Sequence, residues 1–342
     1  MATMDIFDAN AFTTFSMTAA LNREPYLPQF LGSLNLFESE PVMTDKIAIE
    51  ERTSKLSLIQ TSPIGAPPIE ITGERRKIRD FRTVRIATKV RVTASEIRNV
   101  RAFGSESELM TIQSDLARRM ANQRRAMELT HENMRLGAIQ GIVLDADGTT
   151  VINNWYTEFG VTQPTEIDFD LDAASPASGV VRKKCAQVVR AMQTAAQGAW
   201  VPGLTSVMGI AGDAFWDDLI AHTEVRQTYL NTVAASDLRQ GSAYETLSYG
   251  GITFLNYRGT DDGSTVAVGT DKCKFFPVGA PGLFKVAWSP AEPFDWVGTP
   301  GQPIYAIPIR DKDRNAWFDV EMYSYPLYVC TTPLMLQSAR RT

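Results

Sequence analysis

Histidine is scarce in this sequence. His131 and His222 are the two histidines among 342 residues, which leaves little material for a general base or a zinc cluster. His131 and Glu132 resemble the start of a zinc-protease helix, but Arg135 stands where the second histidine is required. We therefore expect no metal site and no catalytic histidine, and we predict that both histidines lie on helix surfaces.

Long apolar runs and excess positive charge are also missing. No window approaches the roughly 18 consecutive apolar residues that span a bilayer, so we expect no membrane contact. The first twenty residues lack a signal-peptide pattern, which predicts a cytoplasmic chain. The formal net charge of -5 disfavours a protein that grips nucleic acid. The three cysteines lack the paired spacing of a disulfide framework or a zinc site, so we predict that they are reduced and mostly buried. They are Cys185, Cys273 and Cys330.

Calcium, nucleotide and nucleophile motifs are absent as well. The Asp-Ala-Asp-Gly sequence at 145–148 suggests a calcium loop, but Tyr156 stands where such a loop needs its last glutamate. The glycines near Gly279 fit neither a dinucleotide site nor a P-loop, and no nucleophile elbow occurs. The sequence thus favours a protein without catalytic residues or cofactors. A soluble α/β enzyme with an unrecognised site is the minor alternative.

The N-terminal segment, residues 1–42, is rich in large apolar side chains. Pro25, Pro28 and Gly32 divide it into pieces too short for a core helix. Such a segment would aggregate if it were left free, so it should pack on its own body or on a neighbouring molecule.

A two-stranded arm is predicted over residues 43–95. Apolar residues alternate from 44 to 59 and again from Val84 to Val92, which is strand periodicity. At about 3.3 Å per residue such strands reach roughly 40–50 Å, and because an isolated ribbon is marginally stable it must lie on another surface. Residues 75–101 hold ten lysines or arginines against Asp80 and Glu96. The plainer interpretation of this block is a solvated strand face.

Residues 142–181 have the opposite charge, with seven acidic residues and no lysine or arginine. Opposite charges in separate segments suggest that the segments pair, and a projecting arm would find its partner most naturally on another copy of the chain. Pairing within one chain is the open alternative.

A long helix is predicted at about 105–140, where apolar residues recur at helical spacing without proline. It would be close to 50 Å long, and its narrow stripe and imperfect heptads favour packing across a sheet over a coiled coil. A hairpin around an Asp-Gly turn should follow at 142–152. The remaining pattern indicates a mixed α/β lobe, with helices at 181–197 and 213–230, strands at 207–211, 251–257 and 283–288, and a hairpin turn at 310–315.

The order of these segments resembles that of the major capsid proteins of tailed bacteriophages, in the lambda-type branch of the Hong Kong 97-like fold. The resemblance covers essentially the whole chain. The residues that carry it are Pro28-Gln29-Phe30-Leu31 through Phe37, Thr44-Asp45-Lys46-Ile47-Ala48-Ile49-Glu50, Gly73-Glu74-Arg75-Arg76, Leu144-Asp145-Ala146-Asp147-Gly148 and Tyr325-Pro326-Leu327-Tyr328-Val329.

The resemblance implies an α+β, Hong Kong 97-like capsid fold. Its parts would be an N-terminal arm (1–42), an extended β-hairpin loop (43–95), a β-rich peripheral domain (96–190) with a spine helix at about 105–140, an axial α/β domain (191–300) and return strands to the peripheral domain (301–342). The arm and the loop would lie on neighbouring subunits. Candidate intersubunit contacts are Phe30, Phe37, Arg75, Arg76, Arg79, Arg82, Arg85, Asp145, Asp147, Asp168 and Asp170.

The implied function is a structural one. The chain would self-assemble in the bacterial host cytoplasm, as hexamers and pentamers, into an icosahedral virion head that encloses double-stranded DNA without specific recognition. A slightly negative wall suits a genome that must slide in and out. The chain lacks the scaffolding segment of some relatives, so we expect a separate scaffolding protein, together with a portal and a small decoration protein. An encapsulin-type nanocompartment shell protein is the alternative.

Overall fold

The computed structural model describes residues 30–53, 75–93, 95–96, 105–173, 176–196, 198–230, 246–257, 266–314 and 316–342. Predictions for residues 1–29 and 54–74 fall outside these ranges. The helices are α1 (Phe30–Ser33), α2 (Ser105–Gln140), α3 (Trp155–Phe159), α4 (Val180–Ala195), α5 (Asp213–Ala221) and α6 (Thr223–Leu230).

The strands are divided among several small sheets and one larger sheet. They are β1 (Glu38–Pro41), β2 (Lys46–Thr53), β3 (Arg75–Arg82), β4 (Ile86–Thr93), β5 (Ile142–Leu144), β6 (Val151–Asn154), β7 (Ile167–Asp168), β8 (Ser206–Ala211), β9 (Leu247–Tyr249), β10 (Ile252–Asn256), β11 (Lys272–Val278), β12 (Phe284–Trp288), β13 (Tyr305–Arg310), β14 (Trp317–Ser324), β15 (Pro326–Cys330) and β16 (Gln337–Arg340).

The long helix α2 lies across one face of a three-stranded sheet of order β13-β14-β4. Alternate side chains of β14, namely Phe318, Val320 and Met322, are at most 3% exposed. Leu116 and Met127 of α2 pack against them in one apolar cluster. The prediction of a long helix on a sheet is confirmed.

The end of α2 is fixed by a glycine. Gly141 follows the helix with φ of 83°, the left-handed conformation that commonly ends helices, and a Cβ there would lie 2.4 Å from the Tyr156 ring. The chain then turns back as the antiparallel pair β5–β6. The predicted hairpin around the Asp-Gly turn is confirmed.

A six-stranded sheet of order β7-β16-β11-β8-β10-β9 forms the core of a second lobe. Strands β8 and β10 are parallel, and α5 and α6 lie in the crossover that such a pair requires. Helices α4 and α5 bury their apolar side chains in one cluster with this sheet. All three cysteines are free and buried, as predicted.

The start of the described chain is joined to the body by a third sheet. Strand β1 lies parallel to β12, and β12 pairs on its other side with β15. Residues 38–41 are thus hydrogen-bonded to a strand more than 240 positions later in the sequence.

The predicted two-stranded arm is confirmed at its first strand, β2, but the strand predicted at 84–92 is not its partner. Strands β2 and β3 pair in register from Lys46↔Arg82 to Thr53↔Arg75. Strand β4 pairs instead with β14 of the body, because Val92 is buried against α2. Its alternating pattern looks the same whether its partner is near or distant in sequence.

The prediction of one helix over 213–230 is wrong. His222 adopts φ of -58° and ψ of 131°, and this extended conformation separates α5 from α6. The second helix restarts at once, since the amide of Arg226 donates to the His222 carbonyl at 3.0 Å.

The contact between α2 and its sheet generates a stability prediction. Met322→Ala should lower the free energy of unfolding by about 2–5 kcal/mol, because it leaves a cavity under the helix. Met43→Ala is the matched control, since Met43 is 60% exposed, and it should change stability by less than about 0.5 kcal/mol. Urea unfolding of the unassembled chain measures both, and equal losses would contradict the packing described.

Candidate interaction surfaces and the core that positions them

A buried carboxylate on α2 holds the start of the described chain. Glu132 is 1% exposed. Its oxygens accept hydrogen bonds from the amides of Leu31 at 2.8 Å and Gly32 at 3.2 Å. The Tyr257 hydroxyl and the Arg135 guanidinium each donate to it at 3.2 Å. One side chain therefore joins α1, the spine helix and the end of β10.

Aromatic contacts hold the same segment on the body. The Phe30 and Tyr257 ring centroids are 6.1 Å apart, and the Phe37 ring lies 5.2 Å from both Phe284 and Tyr328. Phe30 and Phe37 are half-buried, with part of each side chain still accessible. The structure thus places both residues on their own body, and their role between subunits stays a prediction.

The prediction that His131 lies on a helix surface is wrong. His131 is 2% exposed, with its ring nitrogens 3.2 Å from the Ser324 hydroxyl and 3.3 Å from the Tyr328 hydroxyl. Burial and the nearby Arg135 lower its pKa to about 3. Met127 and Met134 flank it at helical spacing, so His131 falls on the apolar stripe that the sequence already displayed.

The surface prediction also fails for His222, which is 5% exposed. It lies at the break between α5 and α6 rather than on an outer helical face. The close succession of two helices buries the residue that connects them.

The ribbon formed by β2 and β3 is anchored at its root by Phe81 and Arg79. Phe81 is 5% exposed and meets the Trp155 ring edge-on at 5.3 Å. Arg79 donates to the Phe159 carbonyl at 2.9 Å and lies over the Phe159 ring. Because side chains alternate along a strand, the other face of β3 points away from the body, and Ile78 there is 67% exposed.

The other predicted basic contacts lie along or after β3. Arg75 and Arg76 belong to β3, and their side chains lie outside the described part of the chain. Arg82 is exposed. Arg85 forms an ion pair at 2.8 Å with Glu292 of the body.

Two of the predicted acidic contacts form the turn between β5 and β6. Asp147 accepts hydrogen bonds from the amides of Thr149 and Thr150 and from the Thr150 hydroxyl, which hold the pKa of its carboxyl well below the usual range. Asp145 accepts a hydrogen bond from the Ala146 amide at 2.7 Å. Both carboxylates are exposed, and their geometry is that of a turn.

The other two acidic residues have partners in their own chain. Asp168 pairs with Arg340 at 3.3 Å and Asp170 with Lys184 at 3.5 Å. Arg79 donates to the Phe159 carbonyl of the acidic segment of its own chain. The predicted pairing of the ribbon with acidic residues of another copy stays a prediction.

Sequence reasoning missed three carboxylates that organise the core. Glu132 accepts hydrogen bonds from the amides of Leu31 and Gly32 in α1. Asp319 accepts two hydrogen bonds from Arg91 at 2.7 and 2.8 Å. Glu224 accepts hydrogen bonds from the amides of Val181 and Arg182 in the first turn of α4. These partners are 101, 228 and 43 residues away in sequence. No local pattern distinguishes these residues from solvent-exposed ones.

Neither a membrane span nor a metal-binding cluster occurs within the described residues. None of the helices there is both long and apolar enough to cross a bilayer. No group of three or more histidine, cysteine, aspartate or glutamate residues in those ranges is arranged to hold a metal ion.

The sequence matches the family described as phage major capsid protein E over residues 13–341. The chain belongs to this family. The major capsid protein of Salmonella phage Felix O1 is 26% identical, with 97% of each chain covered, and that of Pseudomonas phage KPP10 is 25% identical over 88% of this chain and 89% of its own.

A likeness to a solved structure confirms the Hong Kong 97-like capsid fold. The putative capsid protein of a prophage in Escherichia coli CFT073 aligns with a TM-score of 0.54 and 14% identity, over 96% of this chain and 99% of that one. The chain is therefore a tailed-phage major capsid protein of the virion, and it forms the icosahedral head, in which capsid proteins assemble as hexamers and pentamers. This favours the phage head over the encapsulin alternative.

The stability of the capsid protein should depend on the charge of Glu132. Glu132→Gln should lower the free energy of unfolding by about 1.5–3 kcal/mol, because hydrogen bonds to a charged group are lost inside the core. Glu128→Gln is the matched control, one turn earlier on α2, where the carboxylate lies 4.0 Å from Arg124. Burial raises the pKa of Glu128, so the folded chain gains little from this charge, and the change should cost less than about 1 kcal/mol. Denaturant unfolding compares the two, and equal effects would contradict the role given to Glu132.

The capsid protein should also lose stability in acid through His131. The unfolded chain takes up this proton near pH 6.5, whereas the folded chain resists it until about pH 3. The native state is therefore destabilised as the pH falls through this range, by up to about 1.4 kcal/mol per pH unit. His131→Gln should show a shallower fall in unfolding free energy between pH 6.5 and 4, and the same slope as the parent above pH 7. Parallel slopes at all pH values would refute this.

Proposed function

We propose that the chain is a purely structural shell subunit that assembles around double-stranded DNA without catalysis and without specific DNA recognition. The observation that carries this proposal is the ribbon. Among the described strands, β2 and β3 pair with each other and with no third strand. A two-stranded ribbon is marginally stable by itself, so a surface of another copy would complete it.

Contacts between copies would use the ribbon and the turn between β5 and β6. We assign them to the ribbon basic residues Arg75, Arg76 and Arg82 and to the turn carboxylates Asp145 and Asp147, of which Arg82, Asp145 and Asp147 are exposed. The remaining candidates have partners within the chain and would shape the surfaces that copies share: Phe30, Phe37, Arg79, Arg85, Asp168 and Asp170.

The net charge of -5 supports a container that does not hold its contents tightly. Each phosphate contact adds salt-dependent affinity, so an acidic wall leaves packaged DNA free to slide. Assembly in the host cytoplasm, a separate scaffolding protein, a portal and a small decoration protein complete the proposal. The segments 1–42, 43–95, 96–190, 191–300 and 301–342 would serve as arm, extended loop, peripheral domain, axial domain and return strands.

Electron microscopy of the chain expressed with its neighbouring genes tests this function. We expect closed icosahedral shells from the parent chain. A variant in which a short turn replaces residues 51–77, which include the outer part of both ribbon strands, should keep the thermal unfolding transition of the unassembled chain, because Arg79 and Phe81 still hold the root of the ribbon to the body, but it should form no shells. Small oligomers from the parent chain under every condition would contradict the proposal, and shells from the shortened variant would contradict the role of the ribbon.

A further inference from the structure

The loop between β12 and β13 contains a short 3-10 turn, Phe294–Trp296, and two exposed apolar side chains lie in or directly after this turn. Phe294 is 95% exposed, and Val297, which directly follows the turn, is 68% exposed. An aromatic residue in this position has a large apolar area to offer an interface. We call Phe294, Asp295 and Val297 the knob.

The knob is held firmly by the residues around it. Trp296 is 3% exposed, and its ring meets Tyr305 at 4.9 Å. The amides of Trp296 and Val297 donate to Pro293 and Phe294. Little conformational freedom remains to be lost when a partner binds, which favours binding.

The knob also carries an exposed negative charge. Asp295 is exposed and has no ion pair within the described residues, whereas the nearby Glu292 is paired with Arg85. Two knobs in contact would place two Asp295 carboxylates together without a cation. The charge therefore disfavours contact of the knob with itself and favours a basic partner.

The outer face of the ribbon root is the side of β2 and β3 opposite to Arg79 and Phe81. It combines apolar surface with basic residues, which matches the apolar and acidic knob. Ile78 is 67% exposed, and the register places Arg82 opposite Lys46, Asp80 opposite Ala48 and Glu50 opposite Ile78. Lys46, Ala48, Asp80 and Arg82 are exposed, and Lys46 and Arg82 form no ion pair with any described residue. The next pair outward on this face is Arg52 and Arg76. The positions of the face thus hold four basic residues against Glu50 and Asp80, a net positive charge beside the apolar Ile78.

We propose that the knob of one copy docks on the outer ribbon face of a neighbouring copy, with Phe294 and Val297 against Ile78 and with Asp295 beside Arg82. The inference rests on the proposed function, because it needs copies packed side by side. It is a head-to-tail contact between two different surfaces, which repeats around a ring when the rotation closes. Such a contact suits the hexamers and pentamers of a head.

Cross-linking between single-cysteine variants tests the contact. Phe294→Cys and Ile78→Cys chains are each diluted into unsubstituted chain, so that shells form even if a full set of either variant would not. Shells that contain both variants are treated with a short bis-maleimide and resolved under denaturing conditions. The natural cysteines are buried and should not react. Val151→Cys, at a residue 53% exposed, replaces Ile78→Cys as the matched control.

We expect a cross-linked dimer from the pair at 294 and 78, and none from the pair at 294 and 151. A dimer from Phe294→Cys shells alone would mean that the knob meets itself, and shells without any cross-link would mean that it meets another surface. Either result overturns the inference. Absence of shells from the unsubstituted chain would instead refute the proposed function.

Charge reversal gives a second measurement without cysteines. Asp295→Arg and Arg82→Asp should each lower the yield of shells by about tenfold or more, because like charges then face each other. The two changes combined in one chain should restore the yield, since every copy supplies both surfaces. Failure of the combined variant to recover, with each single chain still folded, would overturn the pairing of Asp295 with Arg82.

Discussion

The architecture depends on the buried carboxylate of Glu132. A charge removed from water is costly unless donors surround it, and here the donors come from α1, from Tyr257 at the end of β10 and from Arg135 of the spine helix itself. The buried charge is therefore stabilised only when α1, the end of β10 and the spine helix are all in their folded positions. The direction in which the chain enters the body is fixed by the same bonds that join the spine helix to the second lobe.

Around this point several charges of the body are paired within the chain. Asp319 is covered by Arg91, Asp168 by Arg340 and Glu292 by Arg85. The outer ribbon face and the knob differ, because each combines exposed apolar surface with charge that no described residue balances. A shell subunit needs this division, since its body must fold before assembly while its contacts are completed only by other copies.

Features that the sequence predicted correctly have local causes. The spine helix follows from helical spacing without proline, the β5–β6 hairpin from its Asp-Gly turn, and strand β2 from alternation. Strand β4 was assigned to the wrong partner because alternation does not show which strand lies alongside. The central strand β11 was not predicted, and neither were the partners of Glu132 and Asp319, because each depends on residues distant in sequence. His131 is the exception, since its place on the apolar stripe between Met127 and Met134 already indicated burial.

We infer that one copy folds its body by itself, whereas its ribbon is stabilised by a neighbouring copy. Amide hydrogen exchange of the free chain and of assembled shells can distinguish the two parts. We expect equal protection in both states for the Leu31 and Gly32 amides, which donate to Glu132, and a gain of protection on assembly for Lys46–Thr53 and Arg75–Arg82. Protection of the ribbon that does not change on assembly, or protection of Leu31 and Gly32 that appears only in shells, would contradict this inference.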